Sequence, residues 1–367
     1  MRTIDIHTHG IGGCDTGDST PEDILKMTEI HGAHGVDVVI PTIYSAPIHV
    51  MRENMAAVKK AMEQQKARSM ERGADSQNPS YMGYQPATSK ENVQVSDNFE
   101  LRTLNSELPE NRASTIFGVH LEGPFLNTSR CGALDPFSFL KPDENRLKEL
   151  TDGFEDMVKI ITIAPELEDS FKIIKQARDM GINVSMGHSD AAYTEAEAGY
   201  NAGAQGITHI FNAMRSIHHR EPGIAGFGLL NRDIYIEVIA DPHHLHPNML
   251  ELIFRVKNPD RIIIISDSTK DTLRPLSSTG NLFKVQGSRF KVDKLNTQNS
   301  YGSIPTEEGQ LNTAPPSRAG LLRGGVMTVT ESAHRLIDIG FDEEIVLKCI
   351  TENPAAYLGI SNKPCVT

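Results

Sequence analysis

The chain has 367 residues, enough for one large barrel or two ordinary domains, and either can bury a substantial core. Its 36 Lys+Arg against 48 Asp+Glu leave a net charge of −12, which argues against nonspecific binding to nucleic acid or an anionic membrane. An anionic substrate would need a local basic pocket. No stretch approaches the roughly 18 uninterrupted apolar residues of a membrane span. The N-terminal MRTIDIHTHG lacks the layout of an export signal, and Cys14, Cys131, Cys349 and Cys365 are scattered without CxxC spacing. The expectation is a soluble cytoplasmic protein with reduced thiols, without a disulfide framework or a thiolate zinc site.

In chain order, β-rich apolar runs near 3–8, 36–42, 115–121, 157–163, 182–187, 206–211, 234–240 and 261–267 alternate with amphipathic stretches. The helical stretches include Pro21–His34, Ile48–Arg72, Glu168–Met180, Ala192–Ala202 and Pro247–Val256, with Val326–Ile339 and Glu343–Thr351 after the last strand. Alternation of this kind predicts an α/β protein with a parallel sheet and helices outside it, and eight strands favour closure into a (β/α)8 TIM barrel. Two polar segments, at about 64–114 and 270–318, break the rhythm, the second with a possible hairpin at Phe283–Val292. Loops this long inside a compact domain are usually lids, subunit contacts or insertions. The expected organisation is one barrel domain over 1–360 carrying these two insertions, followed by a tail, 361–367.

Acidic or imidazole side chains fall within or just after six of the apolar runs: IDIHTHG, FGVHLEGP, VSMGHSD, GITHIFNAM, EVIADPHH and IIIISDS. The C-terminal ends of barrel strands open onto one face, where barrel enzymes place their chemistry, so histidines and carboxylates gathered there point to a metal. His7 and His9 stand two apart in an extended segment and share a face of it. Glu122 ends its strand in an apolar setting, where an unpaired carboxylate is costly and a metal offsets that cost. Taken alone, a histidine at 188 or 209 is more often a satisfied core residue; recurrence at strand ends favours ligands. Asp267 ends the most apolar strand and suits a proton shuttle, the competing reading being a turn-capping aspartate. Asp241 and His244 close the seventh strand. His31, His34, His49, His218, His219, His243 and His246 are taken as surface or structural. No GxGxxG after a strand, GxxxxGK[ST] or GxSxG is present.

In order, IDIHTHGIGGCDT, HLEGPFLN, GHSDA, THIFNAM, REPGIAG, ADPHHLHP and SDST closely resemble the motifs of the N-acetylglucosamine-6-phosphate deacetylases, members of the amidohydrolase superfamily of metal-dependent hydrolases. The resemblance runs to TENPAAYLG near the C-terminus. It implies Glu122, His188 and His209 as principal ligands of a divalent metal, Asp267 as general acid/base, and His7 and His9 as the pair that some members use for a second ion. One or two ions per subunit are therefore expected, zinc first, with iron, manganese or cobalt as alternatives. It further implies substrate contacts from Ala133, Asn212, Ala213, Arg220 and His244, and from a closing loop at Leu322, Arg323 and Gly324. The arginine of REPG reaches across a subunit boundary in the family, so a homodimer is implied, with a sugar phosphate as the small-molecule partner and neither nucleic acid nor membrane.

Two departures stand out. Where the family usually reads Gly-Ala-His, this chain has Gly132, Ala133 and Leu134, so one substrate-contacting imidazole is missing and the sugar epimer is open. The HxH strand begins at Thr3, where relatives carry about fifty preceding residues, so most of the family's small β-sandwich is expected to be lacking. The expected reaction is hydrolysis of the N-acetyl amide of N-acetylglucosamine-6-phosphate to glucosamine-6-phosphate and acetate. The alternatives are an amidohydrolase acting on another N-acyl amine or epimer, and a non-catalytic sugar-phosphate-binding barrel.

Overall fold

The structure, a computed structural model, describes residues 1–75, 112–273 and 324–360, all within one compact unit. The tail 361–367, the possible hairpin at Phe283–Val292 and most of the two polar segments lie outside the described residues. Eight parallel strands form the barrel among the described residues: β1 Ile4–Thr8, β2 Val38–Tyr44, β3 Val119–Glu122, β4 Val158–Ile163, β5 Asn183–Met186, β6 Gly206–Ile207, β7 Tyr235–Ile239 and β8 Ile262–Ile265, paired in that order. The ring closes just beyond β8, where the Asp267 amide donates to the His7 carbonyl at 2.9 Å and the His9 amide to the Ser268 carbonyl at 2.8 Å. An edge pair, Thr115–Ile116, extends β2, and a small hairpin of Gly10–Ile11 with Cys14–Asp15 follows β1. Cys14 packs there with Ile11 and Met27.

Helices α1 Pro21–Ala33, α2 Ile48–Asp75, α3 Glu144–Thr151, α4 Ser170–Asp179, α5 Tyr193–Asn201, α6 Gly223–Leu230, α7 Pro247–Val256 and α8 Val329–Asp338 follow the strands one by one; α9 Glu343–Ile350 and α10 Glu352–Tyr357 end the described chain. Local chemistry starts several of them. Thr20 and Asp23 form a reciprocal capping box at α1 with Pro21 at its first turn, and Thr328 and Glu331 form another at α8. α2 extends past residue 64, where the first polar segment was expected to begin, because the run through KAMEQQKAR is built of strong helix formers. The Gln65 side chain also bonds the Ser114 carbonyl at 2.8 Å and the Ile116 amide at 3.0 Å, so both margins of that segment are fixed to the barrel.

Sequence periodicity did not reveal α6. Its residues, GIAGFGLL, carry three glycines, yet a side chain on Gly228 would come within 2.6 Å of Ile207 and one on Gly226 within 2.3 Å of Pro222. Close packing of this helix on β6 overrides its weak propensity. β6 is shorter than the expected 206–211, since positive φ at His209 and Phe211 turns the chain away from extended geometry.

The core has two layers. Val39, Val119, Ile161, Val184, Ile236 and Ile264 face the helices and pack with Met51, Ile173, Phe227, Leu250 and Leu336. Val38, Ile40, Ile160, Ile239, Ile263 and Ile265 cluster instead with Ala355 and Tyr357 of α10. Each such side chain contributes about 1.5–3 kcal/mol by leaving water.

The buried Lys257 closes the end of α6, its Nζ donating to the Gly228 carbonyl at 2.9 Å and the Asn231 carbonyl at 2.5 Å. Burial pushes its ammonium down to about 7. Between that value and the ordinary lysine value the unfolded chain holds a proton that the folded chain has lost, so this residue makes stability rise with pH across the window and contributes no slope below it. Urea midpoints at pH 7 and pH 9 should therefore show a smaller rise in Lys257→Met than in the unaltered chain.

Candidate metal centre

The ligand candidates come from five strand ends. His7 lies in β1 and His9 just beyond it, Glu122 ends β3, and His188, His209 and Asp267 each fall two residues past β5, β6 and β8. Glu122, His188 and His209 form one group whose ligand atoms lie within 4.8 Å of one another, and His7, His9 and Asp267 form a second on the same criterion. Glu122 joins the two. Its Oε1 is 3.0 Å from Nε2 of His188 and of His209 and 3.6 Å from Nε2 of His7, while its Oε2 is 3.2 Å from Nε2 of His9. Asp267 Oδ1 stands 3.4 Å from His7 Nε2 and 3.5 Å from His9 Nε2.

Proton placement on the imidazoles tests whether this set suits a cation. His188 Nδ1 faces the Arg130 carbonyl at 2.9 Å, His9 Nδ1 the Thr42 carbonyl at 3.1 Å, and His7 Nδ1 the Glu237 carboxylate at 3.1 Å. A main-chain carbonyl can only accept, so Nδ1 carries the proton in His188 and His9 and Nε2 presents a lone pair inward; the Glu237 carboxyl, which burial pushes well above the ordinary range, holds His7 in the same tautomer when it is ionised. Burial holds His7 well below the usual histidine range and lowers His209, which keeps both rings neutral. Lone pairs therefore meet carboxylate oxygens, and His7 Nε2 meets His9 Nε2 at 3.3 Å. A divalent cation satisfies all of these donors at once, and imidazole with carboxylate is the ligand chemistry of such ions. Burial, and then the negative charge of Glu122, push the Asp267 carboxyl well above the ordinary range.

The backbone is strained where it delivers these groups. His188, His209, Phe211, Ala213 and Asp267 all have positive φ, five of the seven such non-glycine residues described. Conformations of this kind cost on the order of 1–3 kcal/mol each and persist where the surrounding structure enforces them. At Asp267 the enforcement is visible: Gly325 donates to its carbonyl at 2.7 Å, and a Cβ on Gly324 would lie 2.5 Å from that oxygen.

The other expected contacts are more dispersed. Asn212 turns its amide onto the His209 and Ile210 carbonyls, both at 3.3 Å, and the Ala213 carbonyl accepts from the Ser189 amide at 3.2 Å, so this turn braces the loop after β5. His244 Nδ1 is 3.0 Å from Asp241 Oδ2, which also accepts from the Val326 amide at 3.0 Å. Ala133 is exposed beside Gly132, whose position nearly touches the His188 ring and Ala213. Leu134 is buried. Arg220 is exposed, in the loop before α6, and takes no part in the two ligand groups. Gly324 lies against Asp267, while Leu322 and Arg323 lie outside the described residues.

Sequence reasoning missed several supporting groups. His120 shares the parity of Glu122 on β3 and Glu237 that of Tyr235 and Ile239 on β7, signals that were available. Together they build a buried polar chain beneath the ligands: His120 to Thr162 at 2.8 Å, Thr162 to Thr208 at 2.9 Å, Thr208 to Ser185 at 2.8 Å, Ser185 to Glu237 at 3.4 Å. Asp190, two residues after His188, grips the Arg130 guanidinium through Nε at 2.8 Å and Arg215 through Nη2 at 2.8 Å. Because the Arg130 carbonyl holds His188, this clamp fixes a ligand through its second partner. His31, taken as structural, is buried and bonds Thr8 Oγ1 at 3.1 Å.

No family model matches the chain. It is 27% identical over 360 residues, 98% of this chain and 73% of the relative, to an N-acetylglucosamine-6-phosphate deacetylase of Vibrio furnissii. It is 28% identical over 358 residues, 97% of this chain and 77% of the relative, to an N-acetylgalactosamine-6-phosphate deacetylase of Escherichia coli O157:H7. Among solved structures, an N-acetyl-D-glucosamine-6-phosphate deacetylase of Mycobacterium smegmatis superposes with a TM-score of 0.70 at 23% identity, covering 98% of this chain and 78% of that one. A mutant of that enzyme has been solved in complex with N-acetyl-D-glucosamine-6-phosphate and has the same TM-score. The barrel fold is thus shared with a solved deacetylase, and curated homologues of the chain are, by name, deacetylases of N-acetylated amino-sugar 6-phosphates, most often N-acetylglucosamine-6-phosphate.

Proposed function

We propose that this chain hydrolyses the N-acetyl amide of an amino-sugar 6-phosphate, releasing acetate. The observation that carries the reading is the pairing of two adjacent ligand groups, Glu122 with His188 and His209, and His7 with His9 and Asp267, joined through Glu122. The names of the relatives supply the substrate class. A divalent ion held by these ligands, zinc in our reading, would acidify a water and polarise the amide carbonyl. Asp267 then takes the water's proton as the oxygen adds to the carbonyl carbon, and returns it to the nitrogen as the C–N bond breaks, so the amine leaves neutral. His188 and His209, braced by the Arg130 carbonyl and the Asn212 turn, hold the reacting region still.

The phosphate end is assigned to Asn212, Ala213 and His244, with Arg220 supplied by a partner subunit of a homodimer. Arginine suits that place because its planar fork binds phosphate bidentately. Ala133 and the loop at 322–324 complete the sugar pocket in this reading, in a single barrel domain working in the cytoplasm. Leu134 replaces the imidazole that the family resemblance leads one to expect, and the two similar relatives act, by name, on gluco and galacto substrates. Among the described residues no helix is long and apolar enough to cross a membrane.

The deciding assay is acetate release from N-acetylglucosamine-6-phosphate and its galacto isomer by metal-reconstituted protein; absence of release from both would refute the proposal. Asp267→Asn should lower kcat about 10²–10⁴-fold, the usual worth of a positioned proton-transfer group, with metal content unchanged by elemental analysis. Arg220→Ala should raise KM for the phosphorylated substrate about 10–100-fold, as expected for a lost charged hydrogen bond, and leave KM for the unphosphorylated sugar unchanged in steady-state assays.

A further inference from the structure

The three ligand-candidate imidazoles with a hydrogen-bonded Nδ1 are not held alike. His188 and His9 give their Nδ1 protons to main-chain carbonyls, whereas His7 gives its proton to the Glu237 carboxylate, a side chain of β7, the next strand but one across the closing seam. Both partners are almost completely buried. Glu237 sits on β7 with its same-face neighbours Tyr235 and Ile239 in the apolar interior cluster, where an isolated carboxylate is expensive. Its other oxygen is 3.4 Å from Ser185 Oγ, and its carbonyl accepts from the Ile210 amide at 2.8 Å, next to His209. Burial, and then the charge of Glu122, push this carboxyl well above the ordinary range, while two strong donors, the Nδ1–H of His7 at 3.1 Å and the His209 amide, favour its ionised form.

We propose that Glu237 is the positioning residue that makes His7, His9 and Asp267 a working second cation subsite, by fixing the His7 tautomer with its Nε2 lone pair inward and by making that nitrogen a stronger donor. Carboxylate partners of metal-bound imidazoles act in this way, and their loss weakens metal binding about 10–100-fold. Carbonyl partners orient His188 and His9 without adding negative charge. His7 Nε2 lies 3.4 Å from Asp267 and 3.6 Å from Glu122, so the ring backed by Glu237 reaches both ligand groups, as His9 does at 3.5 Å and 3.2 Å. The inference rests on the metal-hydrolase reading above and adds to it a residue and an ion count.

The test is direct titration of metal-stripped, full-length protein with Co²⁺ by calorimetry, together with metal content after dialysis at fixed free Co²⁺. The unaltered chain should bind two ions. Glu237→Gln keeps the shape but exchanges the anionic acceptor for a neutral amide; it should retain the ion at Glu122, His188 and His209 and bind the second about 10–100-fold more weakly. Placed on a His7→Gln background, the same change should have no further effect on either ion. Second-ion affinity in Glu237→Gln equal to that of the unaltered chain, or equal weakening of both ions, overturns the proposal. If Glu237→Gln does not fold by circular dichroism, Glu237→Asp decides by the same titration: a weakened second ion supports the proposal and an unchanged one overturns it. An unaltered chain that binds a single ion overturns the proposal but leaves the deacetylase reading standing, whereas one that binds none overturns both.

Discussion

Everything at the mouth of this barrel answers to one electrostatic constraint: inward lone pairs of neutral imidazoles meeting a buried carboxylate that can only accept. Main-chain carbonyls and Glu237 hold the protons on the outer nitrogens of His9, His188 and His7, so the inner nitrogens of these three rings do not relieve the crowding by donating. Only a cation, or protons gained at a desolvation cost, brings these atoms into favourable contact. The arrangement is therefore legible as a metal site from the acceptors behind the ligands as much as from the ligands themselves.

The remainder of the barrel is organised to hold that crowding in place. An apolar layer of β-branched residues, joined by Tyr357, supports a polar layer running from His120 to Glu237, and the ligands stand beyond it. Rigid support is what a site needs if its donors are to stay within a few tenths of an ångström of their working positions. The positive φ values at His188, His209 and Asp267 are the local cost of aiming side chains inward just past the strand ends, and the Asp190 clamp and the Gly324–Gly325 contact keep those bends from relaxing. α6 shows the same priority on the outside, where glycines that weaken a helix in isolation permit its approach to β6.

Much of this was readable beforehand. All eight strands were anticipated, because a parallel barrel strand is buried on both faces and appears as an uninterrupted apolar run. The strong helices were anticipated from capping residues and apolar periodicity; Pro247–Val256 lies where its pattern put it. The ligand candidates were visible because polar residues at the ends of apolar runs are costly without a partner. α3, α6 and α10 escaped: the first and last are short and α6 is rich in glycine, so periodicity over so few residues carries little signal. His120 and Glu237 escaped for another reason. They sit inside apolar runs rather than at their ends, and attention to strand ends passes over them.

The sequence by itself determined the alternation of strands and helices, the residue types available at the mouth and the order in which the chain delivers them, since these depend on local pattern and composition. Tertiary structure alone decided which donors share a point, which nitrogen of each imidazole faces inward and which carboxylate stands behind His7. Those depend on residues far apart in the chain, such as Thr8 and Ser268, 260 positions apart at the closing seam, and no local pattern encodes a distance between strands that meet only when the ring closes.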